Sequence, residues 1–414
     1  MTIFPKISEI NLNYDLYNYF DITDISFYFY SPNTKIEFIA FDILHNFSYI
    51  TELSNLIDYS NIKLKNFNSN KLLDLPFIIG SSAFNLKNSN WEPFKKHNWF
   101  IPRFLIIRDI EKTYLVTFHK EDDDKTELKT ITNNFIQKLK SLKKVKNPKI
   151  KLSPNKITSF EEFSNYANSL KDFIKSEKLL KIVPAVENIY NFSAANTHLI
   201  ELLKTNLLNT FIYAFKLNDS IFFGASPENF FTKKENQITI DSLASTAPYN
   251  SNYKEQLSSL KNYNEQKIVS DFIAEILQKY NNDVEIDNSQ KFKIAGSLVH
   301  LKTIFKTKVE SQEDTFKLLN ELFPTPAVCG FPQKLSYELI NKYEPFSRGL
   351  YSGVIGYIST KSIEMAVAIR CGLKNNNSLR LYGGAGFIKE SDIENEYNEI
   401  NSKISTITNL LKNE

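Results

Sequence analysis

Cysteine is nearly missing from this sequence: only Cys329 and Cys371 occur. Two thiols cannot build a disulfide framework or a cysteine-based structural zinc site. The five histidines, His45, His97, His119, His198 and His300, show no paired ligand spacing, which argues against a histidine-rich metal centre. No apolar run reaches the ~20 residues that a membrane-spanning helix needs. The opening Met1-Thr2-Ile3-Phe4-Pro5-Lys6 has no basic segment leading into an apolar core, so no signal peptide is expected. An excess of one charge is also lacking: 50 Lys+Arg against 47 Asp+Glu leave a formal charge of +3. That balance argues against general nucleic-acid coating or acidic-tail binding. The absences together predict a cytoplasmic protein with no nucleic-acid and no membrane partner.

Glycine is the most informative shortage. There are eleven in 414 residues, and eight of them fall between Gly330 and Gly386. A sequence that otherwise avoids glycine needs a backbone reason for such a cluster: positive φ, or a close approach of backbone to a ligand. The last third of the chain is therefore where a site is expected.

What is present is ample core material. Hydrophobic residues make up 42% of the chain, with 33 Phe and 21 Tyr, so the chain can fold and is not disordered. Seven lysines between Lys138 and Lys151, followed by Pro154, read as a solvated helix end and linker. They suggest a division near residue 150, between an N-terminal mixed α/β part (1–150) and a C-terminal part (151–414). Ser159 and Glu162 form a capping-box pattern that opens a helix to about Ser176. Leu179–Val183 and Ile221–Phe223 read as strands, the latter ending at Gly224. Lys261–Tyr280 reads as a long amphipathic helix, and Ser352–Thr360 with Met365–Arg370 as a strand pair. Ser391 with Glu394 predicts the cap of a last helix running towards Leu411.

Several side chains in this frame could carry chemistry. Glu265 shares a helix face with the stripe Ile268, Val269, Phe272, Ile273 and Ile276, and Glu396 lies between Ile393 and Ile400 on the face of the last helix. Two inward carboxylates need partners. Oxygen-only ligands favour Mg²⁺ over zinc; two ordinary salt bridges are the plainer reading. Glu399 and Lys403, four apart, have the spacing of a surface pair. Lys181 sits in an apolar strand, either snorkelling to water or desolvated into a general base. A turn at Gly224-Ala225-Ser226-Pro227-Glu228 would present Glu228 at a strand end. Exposed N–H groups in Tyr382-Gly383-Gly384-Ala385-Gly386 suit a carboxylate or phosphate, without the spacing of a P-loop or a dinucleotide fingerprint. Arg370, at the end of the neighbouring strand, could grip a carboxylate.

The order of motifs resembles the chorismate-utilising enzyme family, and within it the isochorismate synthase branch. The resemblance is carried by Lys181-Ile182-Val183, Gly224 to Glu228, Leu243-Ala244-Ser245-Thr246, Glu265, Val299-His300-Leu301, Phe323 to Pro332, Glu344 to Gly353, Ala368-Ile369-Arg370-Cys371, Gly383 to Gly386, and Glu396-Tyr397-Asn398-Glu399 with Lys403. It covers about residues 155–414. It implies an α/β (α+β) fold of large packed antiparallel β-sheets flanked by helices, with 151–414 as the chorismate-binding catalytic part. It implies chorismate as substrate and Mg²⁺ as cofactor. Glu265 and Glu396 match metal-binding acids with Glu399 beside them, Lys181 matches the general base, and Glu228 matches the general acid. Tyr351, Arg370, Lys403, Gly384 and Gly386 match substrate-carboxylate contacts; Thr246, His300 and Ala327 line the ring pocket. Ammonia-adding relatives typically carry Gln in place of Lys181, and some carry a nucleophilic lysine in place of Ala244. This chain therefore resembles a water-adding member, with no glutamine amidotransferase subunit expected. Salicylate synthase and a non-catalytic chorismate-binding protein are the alternatives, and menaquinone or siderophore biosynthesis the implied settings. Ser245 stands where glycine is usual, and Asn264 and Gln266 where histidines are frequent.

Overall fold

The computed structural model describes residues 1–47, 51–56, 62–65, 74–87, 89–108, 112–143, 149–288 and 292–412. Its strands join in one large, mainly antiparallel sheet that doubles back into two facing layers. In the first layer, Lys151–Lys156, Ala185–Ser193, Ser378–Gly384, Cys371–Asn375, Ser220–Ser226, Phe211–Leu217, Ile25–Tyr30 and Glu37–Asn46 lie side by side. In the second, Leu298–Lys308, Gln237–Pro248, Asn229–Lys234, Ser362–Val367, Val354–Ser359 and Pro76–Ser82 do the same. The long strand His97–Arg108 pairs with Glu37–Asn46 along its length and with Pro76–Ser82 at its start, and so joins the layers.

Strand alternation explains why both faces of the first layer are buried. Phe211, Tyr213 and Phe215 turn to the core between the layers, while Ile212 and Ala214 turn to the opposite core under the helices. Phe27 and Phe29 against Tyr28 repeat the pattern on the neighbouring strand. Strands covered on both faces read as continuous apolar runs. The helices Phe160–Lys175, Asn196–Asn206 and Ile393–Lys412 cover the outer face. Helix Leu260–Gln278 packs on Gln237–Pro248 and Leu298–Lys308 in the other layer.

The fold is the expected one of packed antiparallel sheets flanked by helices. The Ser159 capping box is formed in both directions. Part of the lysine-rich stretch, residues 144–148, lies outside the described residues. Strands from before it pair directly with strands from after it, Ile25–Tyr30 with Phe211–Leu217 and Pro76–Ser82 with Val354–Ser359. Three local expectations are corrected. The strand through Ile221–Phe223 does not stop at Gly224 but runs to Ser226. Arg370 does not end a strand: it lies between Val367 and Cys371 in a left-handed conformation, φ +51°. The last helix is capped by Asp392, whose carboxylate accepts from Asn395 N–H at 3.0 Å, and not by Ser391, which ties Ile388 to Gly386 in the preceding loop. Among the described residues no helix is long and apolar enough to cross a membrane.

Candidate active site

A cavity of about 620 Å³, mouth included, opens where the ends of both layers meet helix Leu260–Gln278 and the C-terminal helix. Lys181 lies behind its Glu265 wall. The short strand Lys181–Ile182 pairs with Gly330–Phe331. Gly330 has φ +134°, and a Cβ there would collide with the Lys181 carbonyl oxygen, so only glycine allows this approach. The Lys181 side chain is fully buried, with Nζ 3.1 Å from Glu265 Oε1. Gly386 packs on the same pair, where a side chain would strike both Glu265 Oε1 and Lys181 Cε.

Arg348 braces this corner from behind. It is wholly buried and paired to Glu344, and it donates to the carbonyls of Val183 (2.5 Å) and Val328 (2.8 Å). Glu344 Oε1 also accepts the Ala185 N–H at 2.9 Å. One ion pair thus fixes the strand carrying Lys181 and the loop carrying Ala327.

The predicted inward carboxylates do face inward. Glu265 and Glu396 are both buried. Burial works against the charged form of Glu265, but Lys181, Lys261 and Lys403 outweigh it and hold the carboxyl below its usual range. Glu396 goes the other way: burial, then Glu399, then Glu265 push it up to about 7, with Lys261 opposing. Lys261 Nζ forms an ion pair with Glu396 Oε1, yet that oxygen receives no well-directed hydrogen bond. Glu399 Oε1 meets Lys403 Nζ at 2.7 Å, and Lys403 also donates to the Gly384 carbonyl at 2.9 Å. Ser245 adjoins Glu265. Its backbone is left-handed, φ +58°, at a bulge between Ala244 and Thr246, and its Oγ lies 3.3 Å from Glu265 Oε2 and 3.0 Å from the Asn262 carbonyl. Among the described residues no three His, Cys, Asp or Glu side chains are already grouped as a metal cage. Lysines balance both acids, Lys181 at Glu265 and Lys261 at Glu396.

The opposite wall holds an acid of different character. Glu228 follows the strand Ser220–Ser226 and is 3% exposed. Burial, reinforced by the nearby Asp241 carboxylate, pushes it from an ordinary 4.5 up to about 8, against the pull of Lys181 and Lys403. Glu228 is thus protonated at neutral pH. Arg370 is also buried; its guanidinium donates to Thr406 Oγ1 (3.1 Å) and meets His300 Nε2 (3.2 Å). Among the described residues no carboxylate lies within salt-bridge distance of it. A buried cation that feels Glu399 only at a distance and has no carboxylate in contact, beside a cavity, is a receptor for an anion. Burial raises the Tyr351 phenol to about 12, so it stays a neutral donor.

The structure brings Glu228, Thr246, Glu265, His300, Ala327, Tyr351, Arg370, Gly384, Gly386 and Lys403 to the cavity wall. Lys181 reaches it through Glu265. Glu396 and Glu399 stand behind it on the C-terminal helix, beside Lys261 and Lys403. The sequence reading missed Lys261, Asp241 and the clamp Arg348–Glu344. Lys261 and Glu265 have i, i+4 spacing, which suggests a pair along one helix; the actual ion-pair partner, Glu396, comes from another.

A sequence profile described as a chorismate binding enzyme matches residues 1–412. The chain belongs to that family. The match takes in the N-terminal part as well as the residues that carry the resemblance. Among curated relatives, isochorismate synthase MenF of Escherichia coli (strain K12) is 28% identical over 251 residues, 58% of each chain. Isochorismate synthase DhbC of Bacillus subtilis (strain 168) is 33% identical over 193 residues, 44% of this chain and 48% of the relative. The aligned part thus spans about half to three fifths of these relatives' length. The solved structure of MenF, the menaquinone-specific isochorismate synthase from Escherichia coli, superposes with a TM-score of 0.83 at 23% identity, covering 99% of this chain and 94% of that one. At that identity the likeness establishes the fold of this chorismate binding enzyme.

Proposed function

We propose that this chorismate binding enzyme isomerises chorismate to isochorismate, adding water at C2 as the C4 hydroxyl leaves. One observation carries the reading: the cavity is walled by a buried acid held protonated near neutral pH, Glu228, and by Glu265, whose carboxylate holds the buried Lys181 at 3.1 Å. Paired proton transfer needs such a donor and such an acceptor. Relatives that bear the name isochorismate synthase support the choice of product.

The roles follow from position. Arg370, Lys403 and Tyr351 meet the carboxylates of the dianionic substrate, while Thr246, His300 and Ala327 border its ring. Lys181, once its ammonium has released a proton to solvent, takes a proton from the attacking water. The ring double bonds shift, and Glu228 gives its proton to the departing C4 oxygen, which leaves as water. One water enters and one leaves, so substrate and product are isomers; the proton on Lys181 must return to Glu228 before the next turnover. Glu265 and Glu396, with Glu399 beside them, would hold Mg²⁺. Their donor set is all oxygen, and the buried Glu396 Oε1 has hydrogen-bonding capacity to spare. When bound, the ion supplies positive charge against the substrate carboxylates. No ammonia-supplying partner is required. The product would feed menaquinone or siderophore biosynthesis in the cytoplasm; relatives include a menaquinone-specific and a vibriobactin-specific isochorismate synthase.

The test is direct. The purified chain with chorismate and Mg²⁺ should form isochorismate, identified by chromatography, and EDTA should stop it. Salicylate with stoichiometric pyruvate as the dominant early product, or anthranilate formed with ammonium, would overturn the assignment. Chorismate binding without turnover would make the chain a non-catalytic binding protein.

A further inference from the structure

Four polar side chains run in line from the C-terminal helix to the cavity. Thr406 Oγ1 lies 3.1 Å from Arg370 Nη1, Arg370 Nη2 lies 3.2 Å from His300 Nε2, and His300 Nδ1 lies 3.1 Å from Thr246 Oγ1. The middle pair is buried, and Thr246 faces the cavity. The direction of every bond can be deduced. A guanidinium has donors only, so His300 Nε2 must accept and cannot carry a proton. A neutral imidazole then holds its single proton on Nδ1. The charged imidazolium is disfavoured by burial first and by Arg370 and Lys403 next. Nδ1–H is shared between Thr246 Oγ1 and the Ser245 backbone carbonyl and cannot accept, which leaves the hydroxyl's own proton free for another acceptor.

We infer that Arg370, steadied by Thr406, locks His300 in the Nδ1-protonated form and so makes the Thr246 hydroxyl a one-way donor into the cavity. The ligand group met there is an acceptor oxygen, from a carboxylate or a ring hydroxyl. An ammonium nitrogen has no lone pair and cannot take that place. Thr406 is a positioning residue: it touches no ligand and acts through Arg370. The inference rests on the proposed function for the ligand's identity, but its proton assignment does not.

Histidine ¹⁵N NMR on the ligand-free full chain reads that assignment, with His300→Gln identifying the His300 signals. The expected spectrum shows Nδ1 protonated and Nε2 bare at neutral pH, moving towards a tautomer mixture in Thr406→Val. A proton on Nε2, or on both nitrogens, would overturn the inference. Thr246→Val should raise KM for chorismate roughly ten-fold, as expected for loss of one hydrogen bond to a charged group, with a smaller change in kcat. Thr246→Ser should restore KM; equal KM values for the valine and serine variants would refute the directed donor. If wild-type protein neither binds nor converts chorismate, the functional reading fails, and the NMR signal alone decides the relay.

Discussion

Two buried ion pairs meet at this cavity, and they differ in what their atoms have left to do. In Arg348–Glu344, the guanidinium is engaged by Glu344 and by the carbonyls of Val183 and Val328, while Glu344 also accepts the Ala185 N–H. In Lys181–Glu265, the ammonium meets one carboxylate oxygen, the other oxygen is hydrogen-bonded among the described residues only by Ser245, and the acid forms part of the cavity wall. Both pairs are buried and both carry charge. Unused hydrogen-bonding capacity, rather than burial, separates the pair that braces from the pair that can react.

The largest expected effect comes from breaking the brace. Arg348→Met leaves Glu344 charged and buried without a partner, which typically costs about 3–5 kcal/mol. The variant should lose thermal stability and activity together, because the strand carrying Lys181 and the loop carrying Ala327 share this anchor. A melting temperature equal to wild type would show that the two pairs do not differ in the way described.

Lys181→Ala should do the reverse. Turnover should fall by ~10²–10⁴-fold, the usual worth of one general acid–base group. Stability should change far less than in Arg348→Met, because Lys261 and Lys403 still act on Glu265 and the cavity admits water. Parallel melting curves and steady-state rates check both halves. Wild-type kcat in this variant would remove Lys181 from the mechanism.

The contrast between the pairs was only partly legible in the sequence. Apolar stripes placed Glu265 and Glu396 inward, because helical periodicity is local. Strand patterning placed Glu228 at the end of its strand for the same reason. The partner of Glu396 was not legible: Lys261 lies one turn from Glu265, and only the packing of two distant helices turns it to Glu396. Arg348 could be read as part of a motif, but its carbonyl acceptors lie 165 and 20 residues away along the chain. Arg370 was expected at the end of a strand running through the apolar stretch Met365–Ile369. The chain instead leaves the ladder after Val367, and the left-handed turn at Arg370 places its side chain between His300 and Thr406. Ser245 carries a similar lesson. A left-handed backbone normally favours glycine, but here the serine hydroxyl finds partners in Glu265 and the Asn262 carbonyl.

Glu228 extends the comparison to an acid that, among the described residues, has no cation in direct contact. Its proton is the one the mechanism spends, so turnover should be sustained below about pH 8 and fall as pH rises through that value. The sign for stability is the same. Between an ordinary 4.5 and about 8 the folded state binds more protons than the unfolded one, so stability from this group declines as pH rises across that window. Glu228→Gln keeps the shape but has no acidic proton, and should lose kcat at every pH. An unchanged pH profile in Glu228→Gln would assign the limb to another group.

The smallest expected effect tests what tunes that acid. Asp241 lies on the strand Gln237–Pro248, is 7% exposed and pairs with Lys302 at 3.2 Å. It ranks after burial among the causes that raise Glu228. Asp241→Asn removes this like charge and leaves the positive charge of Lys302 in place. Loss of the like charge favours ionised Glu228, so the falling limb of the pH–rate profile should move to lower pH. The shift is a through-space interaction in a partly screened site, and at pH 8 it should reduce kcat by roughly two- to five-fold. At pH 6 the variant and wild type should agree, because Glu228 remains protonated in both. A deficit equal at both pH values would mean that Asp241 supports packing rather than the acid's proton; a limb that does not move would leave burial alone as the cause of the raised value.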